Sequence, residues 1–321
     1  MIKMDWASPA DKNDIIDFCD YIFSKYHRPH DFATLLLKLY GEKGDSIPHH
    51  FIIREDGNIV AAIVAYPVEM HIGSHTFQTI GVGSVSVHPR AKGRGYMKYL
   101  LDAVDEHARE HNAMFAFLDG QRQRYGYFGY KPAGYHMNAR LSPNNVRHAL
   151  SDACDEGVSI LPMRDEDTAF ACSLNEKRSL FCTRTPENFR DIAASWYFEP
   201  TILLKGEDRI GYAILKPDQD SVTVSELCLS HEADLPAVLK KLSGRYGIIN
   251  LTVSPFEKER AQFLTGVCEG WQIARNHMFK FYDEAKLRGI LKKAGLPHDL
   301  PLSFDGFTLP LPLFISAPDA L

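Results

Sequence analysis

Residues 85–97, Val-Ser-Val-His-Pro-Arg-Ala-Lys-Gly-Arg-Gly-Tyr-Met, join a β-branched run to a helix-forming one through a proline, two glycines and three cations. Upstream, 76–87 reads as a long strand carrying Gly81 and Gly83, where a missing side chain marks a bulge or a close approach. Downstream, Met97, Leu100, Leu101, Val104 and Ala108 recur at three- and four-residue spacing, with Lys98, Asp102, Asp105, Glu106 and Arg109 opposite, so a helix is predicted to begin near Gly95. Such a junction turns unpaired backbone N–H groups and a helix N-terminus toward an anion. Lys92 and Arg94 add positive charge, and Gly93 and Gly95 let oxygens approach without a Cβ in the way. A pyrophosphate suits the loop; taken alone, the loop fits a solvated basic turn equally well.

The elements around this junction set the fold class. Residues 11–25 and 31–40 read as amphipathic helices, and the runs 51–53 and 59–66 flank Asp56-Gly57-Asn58 as a hairpin. After the helix come a short buried strand at 114–118, a turn at 125–129 and a strand at 131–140; the polar stretch 142–157 reads as a domain boundary. The order then returns: a hairpin at 201–205 and 210–216, a strand at 222–229, a helix at 233–245, and strands at 248–253 and 278–282. This is a divergent internal duplication. SHEADLPAVL at 230–239 stands where HPRAKGRGYM stands at 88–97, and it has no glycine, so only the first copy is expected to hold a site. The predicted fold is α+β, with tandem domains at 1–145 and 155–284, each a mixed, mostly antiparallel sheet flanked by helices. The tail 285–321 carries Pro297, Pro301, Pro310, Pro312 and Pro318 among leucines and phenylalanines; it is expected to form no helix and to pack on the body.

Length and composition agree with two folded domains. The 321 residues are 45% hydrophobic and 24% charged, which excludes a largely disordered chain. The net charge of −5 provides no basic field for a nucleic-acid partner. Residues 59–68, the longest apolar run, are too short to span a bilayer, and the N-terminus lacks a secretory signal, so a cytoplasmic protein is expected. Cys19, Cys154, Cys172, Cys182, Cys228 and Cys268 show no metal spacing; buried free thiols and no metal are predicted.

The string V-x-V-x-P-x-x-(basic)-G-(basic)-G, followed some thirty residues later by Arg124-Tyr-Gly-Tyr-Phe-Gly-Tyr130, resembles the acetyl-CoA-binding and terminal motifs of the GCN5-related N-acetyltransferases. The resemblance implies that Val85, Ser86 and Val87 bond the pantetheine arm like an added strand. It also implies that Lys92, Gly93, Arg94, Gly95, Tyr96 and Met97 cradle the pyrophosphate of acetyl-CoA, the cosubstrate. Counted from Pro89, the family's loop falls on Lys92-x-x-Gly95-x-Met97; the alternative register starts at Arg90. Tyr125 matches the tyrosine that protonates the departing thiolate in many members. A phenol of pKa ~10 facing a thiol of ~8.5 needs help from its surroundings for that task. Tyr127 and Tyr130 read as packing residues.

Two copies, one of them without a site, and a closing tail resemble the Eis-type acetyltransferases, which modify several amines of aminoglycosides and polyamines. The tail here is much shorter than their third domain. In that group the terminal carboxylate reaches the first unit's active site, which makes the α-carboxylate of Leu321 a candidate base; Glu69, His71, His88, Asp119 and His136 are the others near strand ends. The expected activity is acetyl transfer to a primary amine by direct attack on the thioester. A small polyamine-like or aminoglycoside-like acceptor is favoured over a peptide amine, and a non-catalytic acyl-CoA-binding module is the alternative. No membrane partner is expected, and a homo-oligomer stays open.

Overall fold

The structure, a computed structural model, describes residues 1–26, 29–304 and 308–321. The first half runs β1 (Ile2–Trp6), α1 (Lys12–Tyr26), α2 (Phe32–Leu35), α3 (Leu37–Tyr40), β2 (His50–Glu55), β3 (Asn58–Ile72), β4 (His75–Val87), α4 (Tyr96–Glu110), β5 (Phe115–Leu118) and α5 (Arg122–Gly126). The helix expected over 31–40 is two short ones, because Leu36 at φ −122° and ψ 63° leaves helical space. Asp56 and Gly57 both take positive φ, the backbone of the tight turn expected between β2 and β3.

The chain continues as β6 (Lys131–Leu141), α6 (Pro143–Ala149), β7 (Val158–Pro162), α7 (Thr168–Asn175), β8 (Leu180–Cys182), α8 (Phe189–Ala194), β9 (Glu199–Lys205), β10 (Asp208–Pro217) and β11 (Ser221–Leu229). It ends with α9 (Leu235–Tyr246), β12 (Ile248–Val253), α10 (Lys258–Val267), β13 (Gly270–Phe281) and α11 (Glu284–Lys293). The stretch read as a polar boundary therefore holds a helix. Its start is fixed by Ser142, whose Oγ accepts from Asn145 N at 3.3 Å, and by Pro143 in the first turn.

Two compact units result, one of residues 1–133, 277–303 and 320–321, the other of 134–276 and 304–319. In the first, the strand order is β1-β2-β3-β4-β5 followed by the end of β13, with β4 and β5 parallel and the other pairs antiparallel. In the second, it is β7-β9-β10-β11-β12-β6, again with one parallel pair, β11 and β12. The two orders match step for step. However, each sheet is completed by a strand from the other half of the sequence: Met278 faces Leu118 of β5, and Leu141 faces Ile249 of β12. The division expected at 1–145 and 155–284 gave each of these strands to its sequence neighbours, following the general preference of consecutive elements for one another.

Each unit has its own core. In the first, Leu100, Leu101 and Val104 of α4 pack with Ile63, Ile80 and Val82 of the sheet, each helix side chain contributing about 1.5–3 kcal/mol by burial. In the second, Leu141, Val224, Leu239 and Leu251 form the centre. There a buried ion cluster crosses the core: Arg184 Nη1 lies 2.8 Å from Glu226 and its Nη2 2.8 Å from Asp319. Arg178 reaches Glu226 at 3.0 Å, and the Tyr212 hydroxyl donates to Glu226 Oε1 at 2.6 Å. Two cations and two carboxylates balance.

The tail departs from expectation at its start. α11 forms because every proline of the tail lies beyond it, and Asp283 caps it by accepting from Lys286 N at 2.9 Å. Residues 305–307 lie outside those described. Further on, Leu311, Leu313, Phe314 and Ile315 are buried; Tyr135 N donates to Leu313 O at 3.0 Å, and Asn276 brackets the backbone of Ile315. The thiols of Cys19, Cys172, Cys182 and Cys228 are buried as expected, whereas Cys154 is exposed.

Candidate active site

β4 pairs with β5 only at Ile80 and Gly81. Between Gly83 and Ser86 the register against β3 slips by one residue, because three steps along β4 match two along β3. Ser84 within this bulge sits at φ 52°, a conformation that costs a non-glycine residue energy and persists only where neighbours impose it. The neighbours here are polar and buried. His50 Nδ1–H donates to Ser46 O at 2.8 Å, so its Nε2 accepts from the Tyr40 hydroxyl at 2.9 Å, and the Ser84 hydroxyl in turn donates to Tyr40 at 2.6 Å. The chain of donors fixes the bulge, and with it the direction in which Val85, Ser86 and Val87 leave the sheet.

Burial holds the His50 imidazole neutral, its pKa lowered to about 4. The unfolded chain, with a histidine pKa of about 6.5, binds the proton first, so this contribution is fully present above pH 6.5 and is lost as pH falls toward 4. We expect the first unit to lose roughly 3 kcal/mol over that window. Urea midpoints measured at pH 7 and pH 4.5 check it, and His50→Gln should flatten the slope.

Past the strand, His88 Nδ1 accepts from Arg90 N at 3.2 Å, and residues 89–91 make one 3-10 turn. Gly93 and Gly95 then take φ of 79° and 78°, and α4 starts at Tyr96. The strand end, loop and helix start surround a cavity of about 650 Å³ lined by Val85, Ser86, Val87, Lys92, Gly93, Gly95, Tyr96 and Met97. Of the nine expected cofactor-binding residues, Arg94 alone is not in its lining. Its guanidinium lies 2.6 Å from Glu55, the carboxylate that also accepts from the Tyr96 hydroxyl. Ala91, Gln121 just before α5, Arg124 of α5, and Ile22 and Phe23 of α1 complete the wall. Arg124 was in view as the first letter of the tyrosine-rich motif, whereas nothing in α1 signalled a ligand.

Tyr125, on the same short helix as Arg124, is buried and does not line the cavity; its ring is edge-on to Tyr130 with centroids 6.2 Å apart. A Cβ on Gly120 would fall 2.3 Å from its Cε2, so the glycine makes room for the ring. Burial pushes the Tyr125 phenol upward. Tyr130 is buried, whereas Tyr127 is exposed and packs in no core, contrary to the reading of both as packing residues.

Leu321 lies against β4. A Cβ on Gly81 would meet its Cδ1 at 2.6 Å, and one on Gly83 would lie 3.3 Å from its carboxyl carbon, so both strand glycines mark a close approach of this residue. Lys38 Nζ donates to Ala320 O just before it. The other candidate bases are placed less well. Glu69 accepts from Gln78 at 3.2 Å and lies 3.5 Å from His71, His88 stacks on Tyr21, Asp119 is exposed, and His136 belongs to the second unit. In that unit the turn after β11 has no glycine and places Glu232 and Asp234 before α9, where they pair with Arg260 and Lys205.

Residues 5–133, which hold this strand, bulge, glycine loop and helix, match the family of the Acetyltransferase (GNAT) domain. No curated protein matches. Among solved structures, the chain is similar to a GCN5-related N-acetyltransferase from Kribbella flavida (TM-score 0.65, 14% identity, covering 88% of this chain and 71% of that one). It is also similar to a conserved protein of unknown function, a probable N-acyltransferase, from Enterococcus faecalis V583 (0.69, 11%, 88% and 73%). A third is Eis1 from Mycobacterium abscessus (0.60, 14%, 90% and 76%). At these identities the likeness shows the fold. Among the described residues no helix is long and apolar enough to cross a membrane.

Proposed function

We propose that the chain transfers the acetyl group of acetyl-CoA to a primary amine, a small polycation of polyamine or aminoglycoside type being the favoured acceptor. The observation that carries this reading is the cavity, whose walls are the strand end, the left-handed glycines and the first turn of α4. Lys92 and Arg124 supply positive charge for the phosphates, the N–H groups after Gly93 supply directed donors, and Val85 to Val87 offer backbone to an extended amide-bearing arm. Acetyl-CoA, when bound, supplies an activated acetyl group as its thioester. The amine nitrogen forms the new C–N bond as the C–S bond breaks. The Leu321 α-carboxylate accepts the proton that the amine loses, and Tyr125 gives its proton to the departing thiolate. The second unit, without the glycine loop, binds no acetyl-CoA.

The experiment is a CoA-release screen over polyamines, aminoglycosides and peptides. Turnover with a small polycation supports the reading; binding of acetyl-CoA without turnover of any amine supports a non-catalytic acyl-CoA-binding module instead. A second test addresses Leu321. Adding a few residues after it leaves Leu311, Leu313 and Phe314 in place but moves the carboxylate, and kcat should fall roughly tenfold or more. Leu321→Ala, which keeps the carboxylate, should retain most of the rate. Full activity in the extended protein removes the carboxylate from the chemistry.

A further inference from the structure

α4 carries the glycine loop at its start; at its other end it places His107, Glu110 and His111 on one face, at i, i+3 and i+4. One nitrogen or oxygen of each lies within 4.8 Å of the others. We propose that these three residues form a site for a divalent first-row transition ion, zinc being the best match to two imidazoles and a carboxylate.

Three further observations converge on it. The His111 ring is held by its Nδ1, which donates to His107 O at 2.8 Å. That bond fixes the tautomer that leaves Nε2 with its lone pair free, as the orienting partner of a metal-bound histidine does. The Nε2 of His107 is buried and has no hydrogen-bond partner, although the ring is fixed by Trp6 at a centroid distance of 4.6 Å. An imidazole nitrogen in that condition gains by acquiring a ligand. Finally, Glu110 ends the helix and His111 caps it, so the last carbonyls turn their negative ends toward this position and favour a cation. Donors around one zinc ion at ~2.0–2.2 Å lie roughly 3–4 Å from one another, so side-chain rotations of about an ångström close the set. Water fills the remaining positions. Magnesium and calcium, which require oxygen donors, are excluded by the two nitrogens.

The test uses the full chain stripped with chelator and titrated calorimetrically with zinc chloride. One ion per chain should bind with a Kd in the micromolar range. Glu110→Gln and His111→Gln alter exposed side chains and should each weaken binding by about tenfold or more without changing the circular dichroism spectrum. Because His107 packs on Trp6, His107→Gln is read together with tryptophan emission, and loss of binding with unchanged emission supports the site. Millimolar magnesium should not compete. Absence of saturable zinc binding, or equal affinity in His111→Gln and the parent chain, overturns the proposal and assigns any bound zinc to others of the 14 histidines. The outcome is independent of acetyl transfer, since binding is read directly.

Discussion

Replacing Tyr125 by phenylalanine should lower kcat by roughly 10²–10⁴-fold and leave the affinity for acetyl-CoA almost unchanged. The ring is held by its surroundings rather than by its hydroxyl. Tyr125 N donates to Gln121 O at 3.0 Å, its carbonyl accepts from Phe128 N at 3.0 Å, and Tyr130 lies edge-on. Phenylalanine therefore occupies the same space, and only the hydroxyl is lost. Burial raises the phenol's pKa, which keeps the proton on Tyr125 throughout the neutral range. Steady-state CoA release together with calorimetric binding separates the two parameters, and an unchanged kcat takes Tyr125 out of the mechanism. Gly120→Ala is a companion variant: its methyl group meets the ring from behind, so it should cost rate by displacing a hydroxyl that is still present.

The second large effect is on stability. Arg184→Met should destabilise the second unit by about 3–5 kcal/mol, because the arginine is the only link between Glu226 and Asp319 among the ion pairs described. Glu226 keeps Arg178 and Tyr212, but Asp319 is left buried with its charge uncompensated. Denaturant titration followed by circular dichroism measures the loss. Adding Asp319→Asn to Arg184→Met should recover part of it, since the orphaned carboxylate is then gone. A methionine variant as stable as the parent would show that the cluster contributes nothing net.

The strand, glycine loop and helix start of the first unit were more legible than the strand partners. The loop at 88–97 was readable because glycine, proline and basic residues act locally, through φ, capping and charge, and those are properties of adjacent residues. Gly81 and Gly83 announced a close approach, but the approaching residue, Leu321, is some 240 positions away and carries no complementary signal of its own. Arg94 was read as a phosphate ligand from its charge; Glu55, the carboxylate that binds it, comes from a separate strand. The buried donors Ser84, Tyr40 and His50 are spread over three elements and look like ordinary surface-capable residues in the linear sequence. The exchanged strands were misplaced for a related reason. Alternation identifies a strand and its buried face, but the edge it joins is decided by the rest of the sheet.

That exchange has a consequence for how the protein is made. A ribosome releases β5 about 160 residues before it releases the strand that pairs with it, and at 5–20 residues per second the delay is on the order of 10 s. During that interval the first unit carries an uncovered sheet edge, a feature prone to pairing with another nascent chain. The first half of the gene is therefore not a self-sufficient folding instruction. Expression of 1–145 alone retains the whole glycine loop yet omits the strand at 277–281, so it should yield less soluble protein than the full chain, which supplies the missing edge.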